Sequence, residues 1–371
     1  MHQGLKTSDY EMRILAFVDI LGFRQIVNEA GDDISSVAAI HQMLVKARDE
    51  IALPSQSALD NTILQVEINT FRTHHFSDLL TISCPLNSFD YFNVLCAWIE
   101  SLQVRIWTDY KVPIRGSIVY GKLIDDDKNI IFGPALIEAY RLESKVARWP
   151  RVIVDKSVMC RFADKQESLF SQNIRKDSHG NCYLDYLRDF FHIYENRYSD
   201  QLLKRWEDYS TPVTATNPIE YLNTHKIFVT DGLRSSRKQS GATNRIYNKY
   251  IALANYHNRT VDLFVRSIRK LIENPRLLHD ILLYISPRTR PDKPKTIYSG
   301  ENPKYTDIMP LLGIVIVRVH LSEDRVILNS MTDFNTLVNY LFRMCPNYLV
   351  DLSHEIDGMR IDMLSEFAEK H

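Results

Sequence analysis

The eleven residues Arg13 to Phe23, RILAFVDILGF, constrain this chain more than any other stretch. An apolar run rich in β-formers ends on Asp19 and passes at once into a Gly22 turn and a helical pattern. A strand therefore delivers a carboxylate to its own end, beside the start of a helix. His74 to Ser83, HHFSDLLTIS, repeats the device: an alternating segment from Ile63 to Phe76 reaches Ser77-Asp78 and returns as Leu79 to Ser83, a predicted hairpin with an acid at its tip. If the two strands are neighbours, carboxylates about 4 Å apart repel by about 4 kcal/mol at an effective dielectric near 20. A cation between them removes that cost, and hard oxygen ligands with few protein partners suit Mg²⁺ or Mn²⁺. Either Asp taken alone also reads as a helix cap or a solvated turn residue.

The 371 residues leave room for two domains, and 45% hydrophobic with 25% charged residues is the balance of an ordinary globular chain. A formal net charge of -1 gives no global attraction to nucleic acid or to an anionic membrane, so neither is an expected partner. MHQGLKTSDYEMR lacks a basic start followed by an apolar core, and no segment approaches 18 consecutive apolar residues. The expectation is a cytoplasmic protein. Its five cysteines, Cys84, Cys96, Cys160, Cys182 and Cys345, have no CxxC spacing and read as buried thiols, with no structural zinc.

After the first strand, Arg24 to Asn28 opens a helix and Ile34 to Ile51 repeats apolar residues at helical spacing, ending at Pro54-Ser55. Phe89 to Tyr110 is apolar enough for a buried helix capped by Ser88, with Trp98 and Trp107 in the core. Pro113 to Lys122, PIRGSIVYGK, reads as a strand in which Gly116 admits a close approach. Asp125-Asp126-Asp127 reads as a solvated loop tip. Gly133-Pro134 opens a helix ALIEAYRLESKVAR, with Pro at the position where a missing N–H costs nothing, and Arg151 to Val154 is a further strand. The order β, α, hairpin, α, β, short β, α, β predicts an α+β sandwich of ferredoxin-like type, its helices on one side of the sheet and both acids at its centre.

These same segments resemble class III nucleotidyl cyclases. FVDILGF is similar to their metal-binding strand and turn, HFSDLLTIS to their second aspartate hairpin, RGSIVYG to the following strand, and FGPALIEAYRLES to their glycine-initiated helix; the four occur in order over residues 13 to 154. The palm core of diguanylate cyclases and related polymerases is the next nearest relative. The resemblance implies that Asp19 and Asp78 hold two divalent ions, Mg²⁺ or Mn²⁺, joined by the Ile20 carbonyl, and that the amides of Leu21, Gly22 and Phe23 cradle a triphosphate. It implies that Arg141 is the transition-state arginine, acting across the interface of a homodimer. The implied reaction is attack of the ribose 3′ oxygen on the α-phosphorus of an NTP, giving a 3′,5′-cyclic nucleotide and pyrophosphate. The chain departs from the family at three places: Ile137 stands where the family has asparagine, with Glu138 beside it, and the base-proximal positions of purine-selective members hold His74 and Ile130. These departures leave room for a pyrimidine base, as in the bacterial antiphage pyrimidine cyclases, and so for a role in antiviral defence. They also admit a catalytically degenerate module that binds nucleotide or dimerises. A third reading is a template-free nucleotidyltransferase that joins two nucleotides.

Beyond residue 160 the pattern weakens. Residues 161–285 read as a mostly helical extension, with a turn at Ser178-His179-Gly180-Asn181 and a long helix from Ser240 to Glu273 that carries Lys249 and the pair His257-Asn258. Residues 286–304, rich in Pro and basic side chains, read as an extended linker. Residues 305–371 read as a small α/β appendage, with strands at LLGIVIVRVHL and DRVILNS, a helix FNTLVNYLFRM capped by Thr332-Asp333, and a last helix from about Gly358 to Lys370.

Overall fold

Ten residues buried nearly throughout, Glu11–Ile20 (β1), run through the middle of the first of two compact units, residues 1–186 and 187–371. The computed structural model describes residues 10–52, 67–126, 130–162, 174–187, 218–237, 245–276, 278 and 334–363. In chain order the first unit contains β1, helices Phe23–Ala30 (α1) and Ile34–Ala52 (α2), strands Arg72–Phe76 (β2) and Leu79–Pro85 (β3), and helix Phe89–Tyr110 (α3). Strands Ile114–Asp125 (β4) and Ile131–Phe132 (β5), helix Pro134–Lys145 (α4), strand Val152–Val154 (β6), helix Lys156–Arg161 (α5) and strands Ile174–Lys176 (β7) and Cys182–Leu184 (β8) complete it.

The strands form one open, mostly antiparallel sheet in the order β2-β3-β1-β4-β6-β8-β7, with β5 paired to β4 off this path. β1 is antiparallel to both β3 and β4, and only β4 and β6 run parallel. Alternation along β1 divides its side chains between two cores. Ile14, Ala16, Val18 and Ile20 pack with α2 and α3, whereas Leu15 and Phe17 pack with Val119, Leu123 and the Ala135, Ala139 and Leu142 face of α4. Helices therefore cover both faces, in place of the one-sided arrangement expected from element order.

Local chemistry explains the elements. The Ser88 hydroxyl accepts from the Asp90 N–H at the start of α3, and Trp107 near its end is 1% exposed, while Trp98 is only partly buried. Pro134 opens α4 from Gly133. A Cβ on Gly116 would lie 2.3 Å from the Phe17 carbonyl oxygen, so the close pairing of β4 with β1 requires glycine there. Two readings shift: Ile68–Thr70 is a single 3-10 turn, leaving β2 to start at Arg72, and β7 and β8 extend the sheet well past residue 160. Four cysteines are buried as expected, but Cys160 is exposed.

In the second unit, helices Pro218–Arg237 (α6), Arg245–Glu273 (α7) and Phe334–Asp357 (α8) are described, and α7 packs against both others. α8 continues through Pro346 instead of stopping at Met344. His225 of α6 stacks on His257 of α7, with their Nδ1 atoms 3.1 Å apart, and His257 Nε2 donates to the Met359 carbonyl at 2.8 Å. Asn258 brackets Ile361 with two hydrogen bonds, so His257 and Asn258 fasten the segment that follows α8. Residues 358–362, expected to begin the last helix, are turn and irregular backbone. The linker 286–304 and the strands expected after it lie outside the described residues, as does the Thr332-Asp333 cap. No helix among the described residues is long and apolar enough to cross a membrane.

Candidate active site

Asp19 is the last residue of β1 on the α4 face, two positions beyond Phe17, and lies opposite Leu79 of β3 and Arg115 of β4. The β2–β3 hairpin closes at Phe76 and Leu79 through Ser77 and Asp78, with Ser77 in the left-handed region at φ 56°. The Ile20 N–H donates to the Asp78 carbonyl at 3.1 Å, stitching the hairpin tip to the end of β1. That bond sets Asp78 beside Asp19, near enough for its carboxylate to bear on the Asp19 charge. Burial raises the Asp19 pKa above its ordinary value, Arg115 opposes the rise, and Asp78 adds to it.

Arg115 is the counter-charge. Its Nε and Nη2 each lie 3.1 Å from Asp19 Oδ2, and the same guanidinium pairs with Glu143 of α4, whose side chain is 4% exposed. Arg115 thus bridges Asp19 and Glu143, and Asp78 stands as a further carboxylate beside Asp19. Among the described residues no three His, Cys, Asp or Glu side chains converge as a complete metal cage. Two carboxylates at a rim fit an ion that keeps much of its water and takes further oxygens from a phosphate, which is the coordination habit of Mg²⁺.

Gly22, at φ 82°, caps α1 in a conformation that glycine adopts without strain. The Leu21 N–H is donated to the Pro113 carbonyl at 3.0 Å, so Leu21 holds the turn against β4 and has no amide to offer a phosphate. The Gly22 and Phe23 N–H groups remain at the helix start, where first-turn donors lack intrahelical acceptors and favour an anion.

The other singled-out residues lie elsewhere. Arg141 is on the outer face of α4, 46% exposed, its Nε and Nη2 donating to the Glu138 carboxylate at 2.7 and 2.6 Å. Ile137 and Tyr140 of the same helix are 72% and 61% exposed. Ile130 is half exposed, its N–H donating to Asp126 Oδ1. His74 is on β2, and its Nε2 lies 2.8 Å from Asp125 Oδ1. Asp125 is no solvated tip: its side chain is fully buried and also accepts from the Ser83 hydroxyl. Arg115, Glu143 and Asp125 were missed as site residues. Arg115 was discoverable, since a charge inside the apolar strand PIRGSIVYG needs a buried partner.

No protein-family model and no curated protein sequence matches this chain.

Proposed function

We propose that this chain is a metal-dependent nucleotidyl cyclase, which closes a nucleoside triphosphate to its 3′,5′-cyclic monophosphate and releases pyrophosphate. The observation that carries the proposal is the neighbouring of Asp19 and Asp78 at the sheet rim, where Ile20 N–H holds the Asp78 carbonyl and Asp78 raises the Asp19 pKa against the opposing Arg115. Two carboxylates forced together in a half-buried setting are a cost to the fold that a divalent cation removes. The sheet-and-helix order of a class III cyclase or palm core is consistent with the observed α+β unit and supports the same reading.

In this mechanism Asp19 and Asp78 would hold Mg²⁺ or Mn²⁺, with the Ile20 carbonyl as a further ligand. Bound there, the group would supply Lewis-acid activation of the attacking hydroxyl and offset charge on the phosphoryl oxygens. The Gly22 and Phe23 amides and the α1 dipole receive the triphosphate, and Arg115 keeps Asp19 oriented between Glu143 and the ligand. The 3′ oxygen bonds to the α-phosphorus, its proton leaves to solvent, and the bond to the β-phosphate oxygen breaks with the electron pair leaving on pyrophosphate. Arg141 acts from a second copy of the chain, exchanging Glu138 for the transition-state charge; the exposed Ile137 and Tyr140 beside it form part of the homodimer contact.

A second reading, a cyclase-like module that binds nucleotide without turnover, is favoured by one feature: Ile137 supplies no polar group beside Arg141, and Arg141 is already engaged by Glu138. Purified protein incubated with each of the four NTPs and Mn²⁺ separates the two. Pyrophosphate with a cyclic product is the expected result; nucleotide-dependent thermal stabilisation without product selects the module. A dinucleotide product of about twice the mass would assign the chemistry to nucleotide joining instead.

A further inference from the structure

The net charge of -1 that argues against a nucleic-acid partner is a whole-chain figure, and α7 of the second unit departs from it with six basic residues against two acidic. At about 100° per residue, Asn248, Asn255, Arg259, Arg266 and Lys270 fall within about 60° of arc, and Arg269 flanks them. All six are exposed. The opposite face of the helix, with Val261, Phe264, Val265 and Ile268, is buried, and α7 packs on α6 and α8.

The acids of α7 do not neutralise this stripe. Asp262 is already engaged by Arg360, whose Nε also donates to Asp357 Oδ1 at 2.6 Å, and Glu273 stands at the far end of the helix. Arg266 Nε donates to the Asp262 carbonyl at 3.1 Å, which occupies one of its five N–H donors. The side chains of Arg259, Arg269, Lys270 and Arg276, the last exposed just beyond the helix, make no hydrogen bond or ion pair among the described residues. An exposed helix ordinarily sets acids three or four positions from its bases, whereas Arg266 has Arg269 and Lys270 at those positions. Like charges held side by side repel, and a polyanion laid along them removes that cost.

We propose that the exposed face of α7 binds double-stranded DNA through its phosphates, without reading sequence. From Arg259 to Lys270 the stripe runs about 17 Å at about 1.5 Å per residue, and duplex DNA presents about ten phosphate charges over that length. The B-form major groove, about 12 Å wide, admits an α-helix, whereas the deep groove of A-form RNA is too narrow for side chains to enter. Proteins that hold single strands stack the bases on aromatic rings, and none of the six stripe residues is aromatic. A helix that lies on a membrane needs a free apolar face, and that of α7 is used in packing. The proposal stands independently of the cyclase reading.

The test is fluorescence anisotropy of a labelled random-sequence DNA duplex of about 20 base pairs, titrated with the full chain between about 50 and 200 mM salt. The matching single strand, a duplex RNA and phosphatidylserine vesicles are measured beside it. Phosphate contacts from Arg259, Arg266, Arg269 and Lys270 predict that the wild-type chain loses affinity for the duplex about 150-fold across this salt range. Arg266→Gln/Lys270→Gln removes two contacts and should reduce that loss to about twelvefold. Arg266→Lys/Lys270→Arg, which keeps both charges, should retain the wild-type salt dependence. So should Arg48→Gln/Lys156→Gln, which removes two exposed charges from the first unit. Absence of duplex binding at about 50 mM salt would overturn the proposal. An equal effect of the two glutamine pairs would overturn it too, by reducing the attraction to net charge. Tighter binding to the single strand, to the RNA or to the vesicles would assign the face to that partner instead of duplex DNA.

Discussion

Asp19 and Asp78, 59 positions apart in sequence, meet because the Ile20 N–H donates to the Asp78 carbonyl and draws the β2–β3 hairpin tip onto the end of β1. The fold sets two acids side by side, and Arg115 links one of them, Asp19, to Glu143 of α4.

Removing one acid should therefore cost function and not stability. Asp78→Asn relieves the repulsion in the metal-free protein, so its thermal midpoint should equal or exceed that of the wild type, while Mn²⁺-dependent stabilisation and cyclic product are lost. A large fall in the midpoint would show that Asp78 serves the hairpin turn instead.

The raised Asp19 pKa gives a pH dependence with a definite sign. For an acid whose folded pKa lies above its unfolded value of about 3.8, the contribution to stability is present below that value and lost as pH rises through the folded pKa. Metal binding needs both carboxylates ionised and reverses the penalty. Stabilisation by Mn²⁺, read from thermal midpoints, should grow as pH is raised from the carboxylate range towards neutrality. A shift independent of pH would contradict the pairing.

Arg115→Met leaves the buried Glu143 carboxylate without its guanidinium and exposes Asp19 to uncompensated repulsion. Breaking a buried pair from one side costs about 3 to 5 kcal/mol, and the partial exposure of Arg115 places this one at about 3 kcal/mol. The double variant Arg115→Met/Glu143→Gln should recover much of the loss in urea titrations.

The sequence made the acid pair legible because both acids stand where an apolar strand pattern stops, and such stops are visible without coordinates. The long helix from Phe89 was equally plain, since Ser88 caps an unbroken apolar stretch. Asp125 was not legible. It sits in a run of three acids, which reads as solvated, and its partner His74 lies 51 residues away with no local mark of the pairing. The same holds for β7 and β8: three-residue strands carry too little periodicity to show that they continue a sheet begun at Glu11. Pro346 misled in the opposite sense, because tertiary packing of α8 outweighs a local helix-breaking residue.

Arg141 tests the dimer. Its i,i+3 pair with Glu138 is exposed and contributes no more than about 0.5 kcal/mol to stability. Arg141→Ala should fold normally and lose turnover. Mixed with an inactive Asp78→Asn chain it should regain about a quarter of wild-type activity, because half of a statistical mixture is heterodimer with one intact site of two. No recovery on mixing would place the arginine's role within its own chain.

In the second unit, His257 donates from Nε2 to Met359, so its Nδ1 must accept from His225, and a second proton between the rings is repelled. Burial lowers the His257 pKa to about 4 and holds that of His225 well below its ordinary value. The unfolded chain then binds protons first as pH falls, and stability drops between about pH 6.5 and about 4 by on the order of 3 kcal/mol for His257. Denaturant melts at pH 7 and pH 5 should show this loss, and His257→Gln should blunt it.

The most direct test of the acid pair is an anomalous difference map at the manganese edge from crystals grown with Mn²⁺ and a non-cyclisable NTP analogue. Strong density shared by the Asp19 and Asp78 carboxylates and contacting the phosphates is the predicted result. Manganese bound elsewhere, with Arg115 alone still neutralising the pair, would contradict it.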